Sequence, residues 1–338
     1  MKQQPVFLIA EIAQAHDGSL GILHSFVDAA AEAGADAVKF QVHIADAESS
    51  AFEEFRVNFS YVDKTRYDYW KRMELTPEQW AGVKEHCERV GLEFLASTFS
   101  VAAARLLERL GVKRFKIASG EVRNYLMLDF IARTGKDIWI SSGMSSYAEI
   151  EQALNLLDGC GARGNKVLFQ CTTEYPTPPE RLGLNVIPEL QRRFGLPVGL
   201  SDHSGCIYPP LAAVAMGARF IECHLAFDKR MFGPDARSSL TVDEYAQMAR
   251  GVRFLEKALA SPVDKDDTER FEGLKTLFGK SLSYARDIPA GTLLSSEDLE
   301  SRKPAGKGVS AQDFRQLLGK RTKSARKAGS FANWEDVE

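Results

Sequence analysis

Polar and ionisable side chains recur at the ends of a series of short apolar runs, and their types point to two kinds of chemistry. Glu11 lies in the first run; Lys39 and Gln41 lie in VKFQ; Ser97 and Thr98 end the third; Lys116, Ser119 and Glu121 lie in KIASGE. Ser141 and Ser142 precede Gly143, and Thr172, Thr173 and Tyr175 follow the sixth run. Ser201, Asp202 and His203 end the seventh, and Glu222 and His224 lie in the eighth. Two lysines and several hydroxyls gathered at one mouth suit a clamp for a phosphate and a carboxylate. Two imidazoles with a nearby carboxylate and open positions suit a divalent ion such as Mn²⁺, Fe²⁺ or Zn²⁺, which polarises a carbonyl oxygen as a Lewis acid. Singly, each residue has a plainer role: a strand lysine as half of a buried ion pair, a histidine as a satisfied core residue. Together they are costly to bury unless paired or hydrogen-bonded, and a purely structural sequence would use Val or Ile there. Gly233-Pro234-Asp235 and the segment from Tyr175 to Pro179 read equally as turns and as walls of a site. His16, His24, His43 and His86 fall in loops or helices and read as surface or packing residues.

The elements that must hold these groups alternate regularly. The apolar, β-branched runs are Val6–Ile12, Ala37–Val42, Glu93–Ser97, Arg114–Ser119, Asp137–Ser142, Lys166–Thr172, Pro197–Ser201 and Phe220–Ala226. Between them Leu23–Ala33, Pro77–Val90, Val101–Leu110 and Tyr147–Leu157 place apolar residues at i, i+3, i+4 and i+7, the helical spacing. Gly34, Gly91, Gly111, Gly135 and Gly217 stand where left-handed caps would return the chain to a sheet. Most strand runs lack polar alternation, as parallel strands covered on both faces do. Eight such units before residue 262 predict a closed (β/α)₈ TIM barrel, whose strand C-termini share one mouth. An open doubly wound sheet would normally carry a Gly-rich loop after its first strand, and here that strand runs into Ala-Gln-Ala-His-Asp-Gly.

Length and charge bound the rest. The 338 residues are 44% hydrophobic and 26% charged, which suits one large globular domain with a small one. The formal net charge of -3 gives no reason to expect nucleic acid, and no apolar run has the length of a membrane helix. The five cysteines are scattered, odd in number and never in CxxC spacing, so they read as reduced thiols of a cytoplasmic protein. Residues 279–338 hold 11 basic and 8 acidic side chains, a balance of +3 against -6 for the preceding residues. The polar stretch from Ala260 to Arg270 separates the two compositions. The expected division is a catalytic barrel over 1–262, a linker over 263–278 and a second domain over 279–338.

The motifs IAEIAQAHDGSL, AGADAVKFQ, FKIASGE, SSGM, CTTEYPTPPE, GLSDHSG and ECHLAFDKRMFGPD occur in the order and spacing of the N-acetylneuraminate (sialic acid) synthases, which the chain resembles from about Pro5 to Glu338. GKSLSYARDIPAGTLLSSEDL resembles their small antifreeze-like (SAF) domain, of the β-clip type, and the segment from Lys320 to Val337 weakly repeats its plan. The resemblance implies condensation of phosphoenolpyruvate with an open-chain N-acyl hexosamine to a 2-keto-3-deoxy sugar acid and phosphate. It implies a divalent metal, Mn²⁺ or Mg²⁺, on His203 and His224, and Glu11 as the acid/base group that helps water add. Lys39, Ser97, Lys116, Ser119, Ser141 and Ser201 then form the phosphoenolpyruvate cradle. Gln41, Glu121, Thr173, Tyr175 and Asp235 fall where the family meets the sugar. A homodimer is implied, with the SAF domain over the partner's site and Lys303 of Arg302-Lys303-Pro304-Ala305 as its basic residue. Ala13 and Ala15 replace the usual Gly and Asn, Thr173 the usual Asn or Ser, Ala236 the usual His, and Lys303 the usual Arg. These departures cluster at the sugar side, so a diacetamido sugar, a hexose or a phosphorylated aldose are alternative acceptors. A Schiff-base aldolase using Lys39 or Lys116 is an alternative chemistry that needs no metal.

Overall fold

A computed structural model describes residues 5–57 and 59–338 and divides the chain into two compact units, Met1–Ser261 and Pro262–Glu338. In the first, eight parallel strands pair in sequence order: β1 (Phe7–Ala13), β2 (Ala37–Val42), β3 (Glu93–Thr98), β4 (Arg114–Ile117), β5 (Asp137–Ser141), β6 (Lys166–Cys171), β7 (Val198–Asp202) and β8 (Phe220–Ala226). Strand β1 also pairs with β8, with Glu11 opposite His224, and this closes the barrel. The helices between them begin at side-chain caps. Ser19 accepts the Ile22 amide, and Thr76, Ser146 and Thr241 form capping boxes with Gln79, Glu149 and Glu244. At the other end, Gly34 and Gly91 have φ of +86° and +82°, the left-handed turn expected of them.

The strands explain both the barrel's filling and its mouth through their period of two. Ile9, Ala37, Leu95, Trp139, Val167 and Phe169, with Phe7 and Phe220, form one apolar cluster across the barrel strands. Phe7 and Phe220 meet Trp139 with ring centroids 5.7 and 4.9 Å away. Two residues further along each strand the composition changes: Ile9 is followed by Glu11, Ala37 by Lys39, Leu95 by Ser97, Trp139 by Ser141, Phe169 by Cys171 and Phe220 by Glu222. The aromatic plug therefore sits one layer below a polar one. The alternate residues, such as Leu8, Ala10, Val38, Phe40, Ile117, Ile140 and Ile221, join the larger core that includes the helices.

Two parts of the chain differ from the sequence expectation. Between β2 and Pro77 lie helices at Ala45–Glu48 and Arg66–Met73, and the second is capped by Thr65 with Asp68. Their polarity and shortness hide them from a periodicity reading. Within the stretch expected as a linker, Glu272–Phe278 is helical. The second unit pairs Ser281–Tyr284 antiparallel with Leu299–Arg302 around a core that includes Leu282, Tyr284, Ile288, Leu294 and Val309. Its weak internal repeat has a structural counterpart. Ser295 with Asp298 and Asn333 with Asp336 form equivalent capping boxes, and the two aspartates pair with Arg286 and Arg326. Among the described residues no helix is long and apolar enough to cross a membrane.

The plug yields a paired test. A Cβ added at Gly199 on β7 would stand 2.6 Å from the Phe220 carbonyl oxygen and 2.8 Å from the Phe169 ring, whereas one at Gly82 meets nothing within 4 Å. Gly199→Ala is expected to destabilise the protein by about 1–3 kcal/mol in urea unfolding, through overpacking. Gly82→Ala, in the exposed interior of the Pro77–Arg89 helix, is expected to stabilise it by about 0.5–1 kcal/mol.

Candidate active site

A cavity of about 340 Å³ opens above the plug and gathers residues from all eight strands or the loops that follow them. Its floor is ionic. Lys39 Nζ lies 2.8 Å from Glu11 Oε2 and 3.5 Å from Glu222 Oε1, and Lys116 Nζ lies 3.4 Å from Glu222 Oε2. Lys39 also donates to Ser97 Oγ at 3.1 Å, Lys116 to Ser141 Oγ at 2.5 Å, and Ser201 Oγ to Glu222 at 2.9 Å. All four ionisable groups are at most 3% exposed. Lys116 also stands 4.7 Å above the Phe169 ring, on the plug itself.

Burial and pairing pull these groups in different directions. Burial raises Glu222, but Lys116 and Lys39 outweigh it and hold the carboxyl down at about 2. Lys39 is held above its usual range because Glu11 and Glu222 outweigh burial. Lys116 is pushed below its range by burial and by Lys39, despite Glu222. Burial, with Glu222, raises Glu11 against the opposing pull of Lys39 and Gln41. A floor with two cationic side chains, one of them poorly compensated, is prepared for an anion.

The upper wall carries the histidines. Their ring centroids are 5.2 Å apart, and the Tyr175 ring stacks on His203 at 4.1 Å. His203 Nδ1 donates to the Thr172 carbonyl at 2.8 Å, which turns Nε2 towards the Tyr175 hydroxyl at 3.1 Å. Burial would lower His203, but Cys171, whose thiol His203 lowers in return, raises it to about 9. Burial takes His224 down to about 4, so its ring is neutral at pH 7. These donors fit a divalent ion once His203 gives up its proton: a backbone carbonyl fixes that imidazole, whose outer nitrogen meets the Tyr175 hydroxyl, and the other imidazole is uncharged. Glu11 stands on the adjacent strand, but its oxygens are engaged by Lys39 and Gln41. Among the described residues no group of three or more His, Cys, Asp or Glu forms a metal cluster, so the protein would supply two imidazoles and leave the remaining positions to substrate and water.

Of the residues singled out in the sequence, Glu11, Lys39, Gln41, Ser97, Lys116, Ser119, Ser141, Thr173, Tyr175, Ser201, His203, His224 and Asp235 all line this cavity. Glu121 does not. It sits half-buried in the 3₁₀ turn after β4, accepting from Asn124 at 2.8 Å. Lys303 belongs to the second unit, where its ammonium lies 4.8 Å from the Phe278 ring centroid. Thr173 Oγ1 is buried without a hydrogen-bond partner among the described residues, a hydroxyl left for a ligand. Gly143 makes the crowding here possible: a Cβ would stand 2.1 Å from Ser119 Oγ and 2.5 Å from Thr173 Oγ1.

Other lining residues had no assigned role: Gln14, Arg56, Arg66, Trp70, Phe99, Cys171 and Glu222. Glu222 and Cys171 carried a signal, since each continues the inward period of its strand. Gln14 did not, because the chain breaks alternation just before it. Ala13 has φ +48°, and the β1–β2 register shifts between Glu11 and Ala13. That left-handed step lets Glu11 and Gln14 face the same cavity. Arg56 and Arg66 come from the long β2–Pro77 connection. Arg56 lies 4.3 Å over Tyr175 and 3.6 Å from Asp235, and Arg66 lies 4.2 Å over Trp70. His16, His43 and His86, read as surface or packing residues, are all buried.

Comparison with known proteins places this architecture. Residues 26–264 match the model of the NeuB family, and residues 279–338 match that of the SAF domain. The chain is 35% identical to the N,N'-diacetyllegionaminic acid synthase of Campylobacter jejuni, over 93% of this chain and 94% of that protein. It is 34% identical to the N-acetylneuraminate-9-phosphate synthase of Homo sapiens, over 94% and 89%. Among solved structures, the N-acetylneuraminic acid synthetase of Leptospira borgpetersenii in complex with citrate aligns with a TM-score of 0.70 at 29% identity, covering 81% of this chain and 93% of that one.

The ionic floor predicts a pH dependence. Glu222 is depressed to about 2, so its contribution to stability is complete above the ordinary carboxylate range and is lost as pH falls through about 2. Glu222→Gln is expected to cost about 3–5 kcal/mol at pH 7, because two buried ammonium groups keep only Glu11 as counter-charge. The gap in unfolding free energy from the parent protein should hold between pH 7 and 5 and narrow from about pH 4 towards 2. A gap independent of pH would contradict the assignment.

Proposed function

The chain belongs to the NeuB family, and we propose that it condenses phosphoenolpyruvate with an open-chain N-acyl hexosamine to give a sialic-acid-like nonulosonate and phosphate. One observation carries the reading. A single cavity holds two buried ammonium groups backed by serine hydroxyls and, on its wall, two adjacent imidazoles. The first set suits a small molecule with a phosphate and a carboxylate, and the second suits the carbonyl of a sugar aldehyde.

In the proposed reaction C3 of phosphoenolpyruvate forms a bond to the aldehyde carbon, the aldehyde oxygen takes a proton, water adds at C2, and the C2–phosphate bond breaks to leave a ketone. Lys39 with Ser97 and Lys116 with Ser141 hold the two anionic groups, and Ser201 steadies Glu222 beneath them. Glu11, whose proton affinity burial raises, is suited to exchange a proton with water near C2. Tyr175, Gln41, Thr173 and Asp235 border the sugar side. A divalent metal on His203 and His224 would polarise the aldehyde oxygen. The relatives' names divide between a diacetylated and a phosphorylated product, so the acceptor is the finer part of the proposal, with an N-acetylmannosamine-like sugar first and a diacetamido sugar, a hexose or a phosphorylated aldose as alternatives. We assign to the SAF domain of a second copy, with Lys303, the closing of the site.

A second chemistry draws on one observation, the lowered Lys116. A neutral buried amine can attack a ketone to form a Schiff base, and borohydride trapping of pyruvate on Lys116 would favour that aldolase reading.

Phosphate release from phosphoenolpyruvate is expected to require Mn²⁺ and an N-acyl hexosamine from a panel that includes diacetamido and phosphorylated sugars. The product mass should equal that of both substrates plus water, less phosphoric acid. His203→Ala and His224→Ala should each abolish release while the thermal midpoint stays within a few degrees. Metal-independent turnover by either variant would falsify the donor assignment. Removal of residues 279–338 should impair turnover more than phosphoenolpyruvate binding, and equal activity would reject the closing role.

A further inference from the structure

Glu48, His43 and Gln14, which have no part in the scheme above, lead through hydrogen bonds to Gln41 and Glu11 in the cavity. His43 stands just beyond β2, 3% exposed, and does not itself line the cavity. Its ring is sandwiched between Trp70, at 3.8 Å and 18°, and Phe99, at 4.5 Å and 12°. Stacked on both faces, the ring meets polar partners only through its edge, so its two nitrogens have fixed directions. Nδ1 lies 2.5 Å from Glu48 Oε1, whose other oxygen accepts the Ile44 amide at 3.3 Å.

The partners fix the direction of each hydrogen bond. A carboxylate only accepts, so His43 Nδ1 carries the proton, and in the neutral ring Nε2 is an acceptor. It receives Gln14 Nε2 at 2.9 Å and lies 3.3 Å from Gln41 Oε1, so the Gln14 amide bridges the two acceptors. The other Gln14 amide proton goes to Gln41 Oε1 at 2.5 Å, and Gln41 donates through Nε2 to Glu11 Oε1 at 2.8 Å. Reversing either amide would set donor against donor or acceptor against acceptor at two joints. The Glu48 carboxyl at the outer end, by taking the His43 Nδ1 proton, therefore sets how Gln41 addresses Glu11 at the inner end.

We propose that His43 is a positioning residue: it sets the amide orientation of Gln14 and Gln41 and, through them, holds the Glu11 carboxylate towards the reacting carbon. The inference rests on Glu11 acting as the acid/base group. It assigns a function to a histidine that touches neither substrate, and it explains the aromatic clamp. Trp70 and Phe99 line the cavity while a face of each holds the ring that orders its polar wall.

The test compares His43→Ala, His43→Gln, Gln41→Ala, the double variant His43→Ala with Gln41→Ala, and Glu11→Gln. Each is assayed for phosphate release with phosphoenolpyruvate, Mn²⁺ and the panel sugar that turns over fastest, and the metal-free parent and His43→Ala proteins are crystallised. Losing an ordered hydrogen bond to a charged group should lower kcat for His43→Ala by about ten- to a hundredfold. The KM for phosphoenolpyruvate should stay within about twofold, because the lysine floor is untouched. His43→Gln, whose carboxamide reaches the place of Nε2, should recover part of the loss and covers the case in which the alanine variant folds poorly. Adding His43→Ala to Gln41→Ala should cost little more, since both act through one contact. In the His43→Ala crystal the Gln41 amide should leave Glu11. Wild-type kcat in His43→Ala, fully additive losses, or Gln14, Gln41 and Glu11 unmoved in its crystal would overturn the positioning role. Unimpaired turnover by Glu11→Gln would instead overturn the reading of the site on which it rests.

Discussion

Everything in the barrel depends on keeping two ammonium groups charged where there is little water. Lys39 and Lys116 stand one layer above a plug of Trp139, Phe169 and Phe220, among groups almost wholly removed from solvent. Unpaired, each ion would cost several kcal/mol to bury. Glu222 sits between them and touches both. It cannot neutralise both, and Glu11 supplies the second negative charge from β1 while facing the cavity. The result is a balanced but strained group of four: Lys39 and Glu222 are held charged, while Lys116 and Glu11 are drawn towards neutrality. An incoming polyanion relieves the lysines, and the loosened proton affinity of Glu11 becomes useful for catalysis. Stability and function thus share the same side chains.

The barrel supplies the geometry through pairing alone. Register puts Glu11 beside Lys39 on one side and His224 on the other, and Ser97 beside Lys116. Five residues from five strands are thereby brought together without any loop having to order. What register cannot supply is the orientation of amides and imidazoles, since these rotate about their own bonds. That is left to local anchors: the Thr172 carbonyl for His203, and the line from Glu48 through His43 to Gln41.

Much of this was legible in the sequence because the chemistry lies on strands. A period of two, read with the apolar runs, locates the barrel and marks Lys39, Ser97, Lys116, Ser141, Ser201 and His224 as inward and near the mouth. Legibility fails where the period does. Gln14 faces the cavity only because Ala13 adopts a left-handed turn, and nothing in an Ile-Ala-Gln-Ala string announces it. Arg56, Arg66 and Trp70 come from a connection of short helices and turns with no periodic face. His43 reads as a packing residue and is indeed packed, but no spacing rule shows that its edge joins Glu48 to Gln14. Glu121 stands two residues past Ser119, yet a 3₁₀ turn and Asn124 keep it out of the cavity lining. The SAF domain and the substrate class came from motif resemblance, which periodicity and charge could not supply.

The central claim is that the ionic floor receives phosphoenolpyruvate and presents its reactive carbon to the histidine wall. Crystals soaked with phosphoenolpyruvate and Mn²⁺, without sugar, test it directly. The account predicts difference density for the ligand with its phosphate and carboxylate hydrogen-bonded to Lys39, Lys116 and the Ser97 and Ser141 hydroxyls, and with C3 turned towards His203 and His224. Density for the ligand elsewhere on the chain, or an ionic floor left unchanged at saturating ligand, would contradict it.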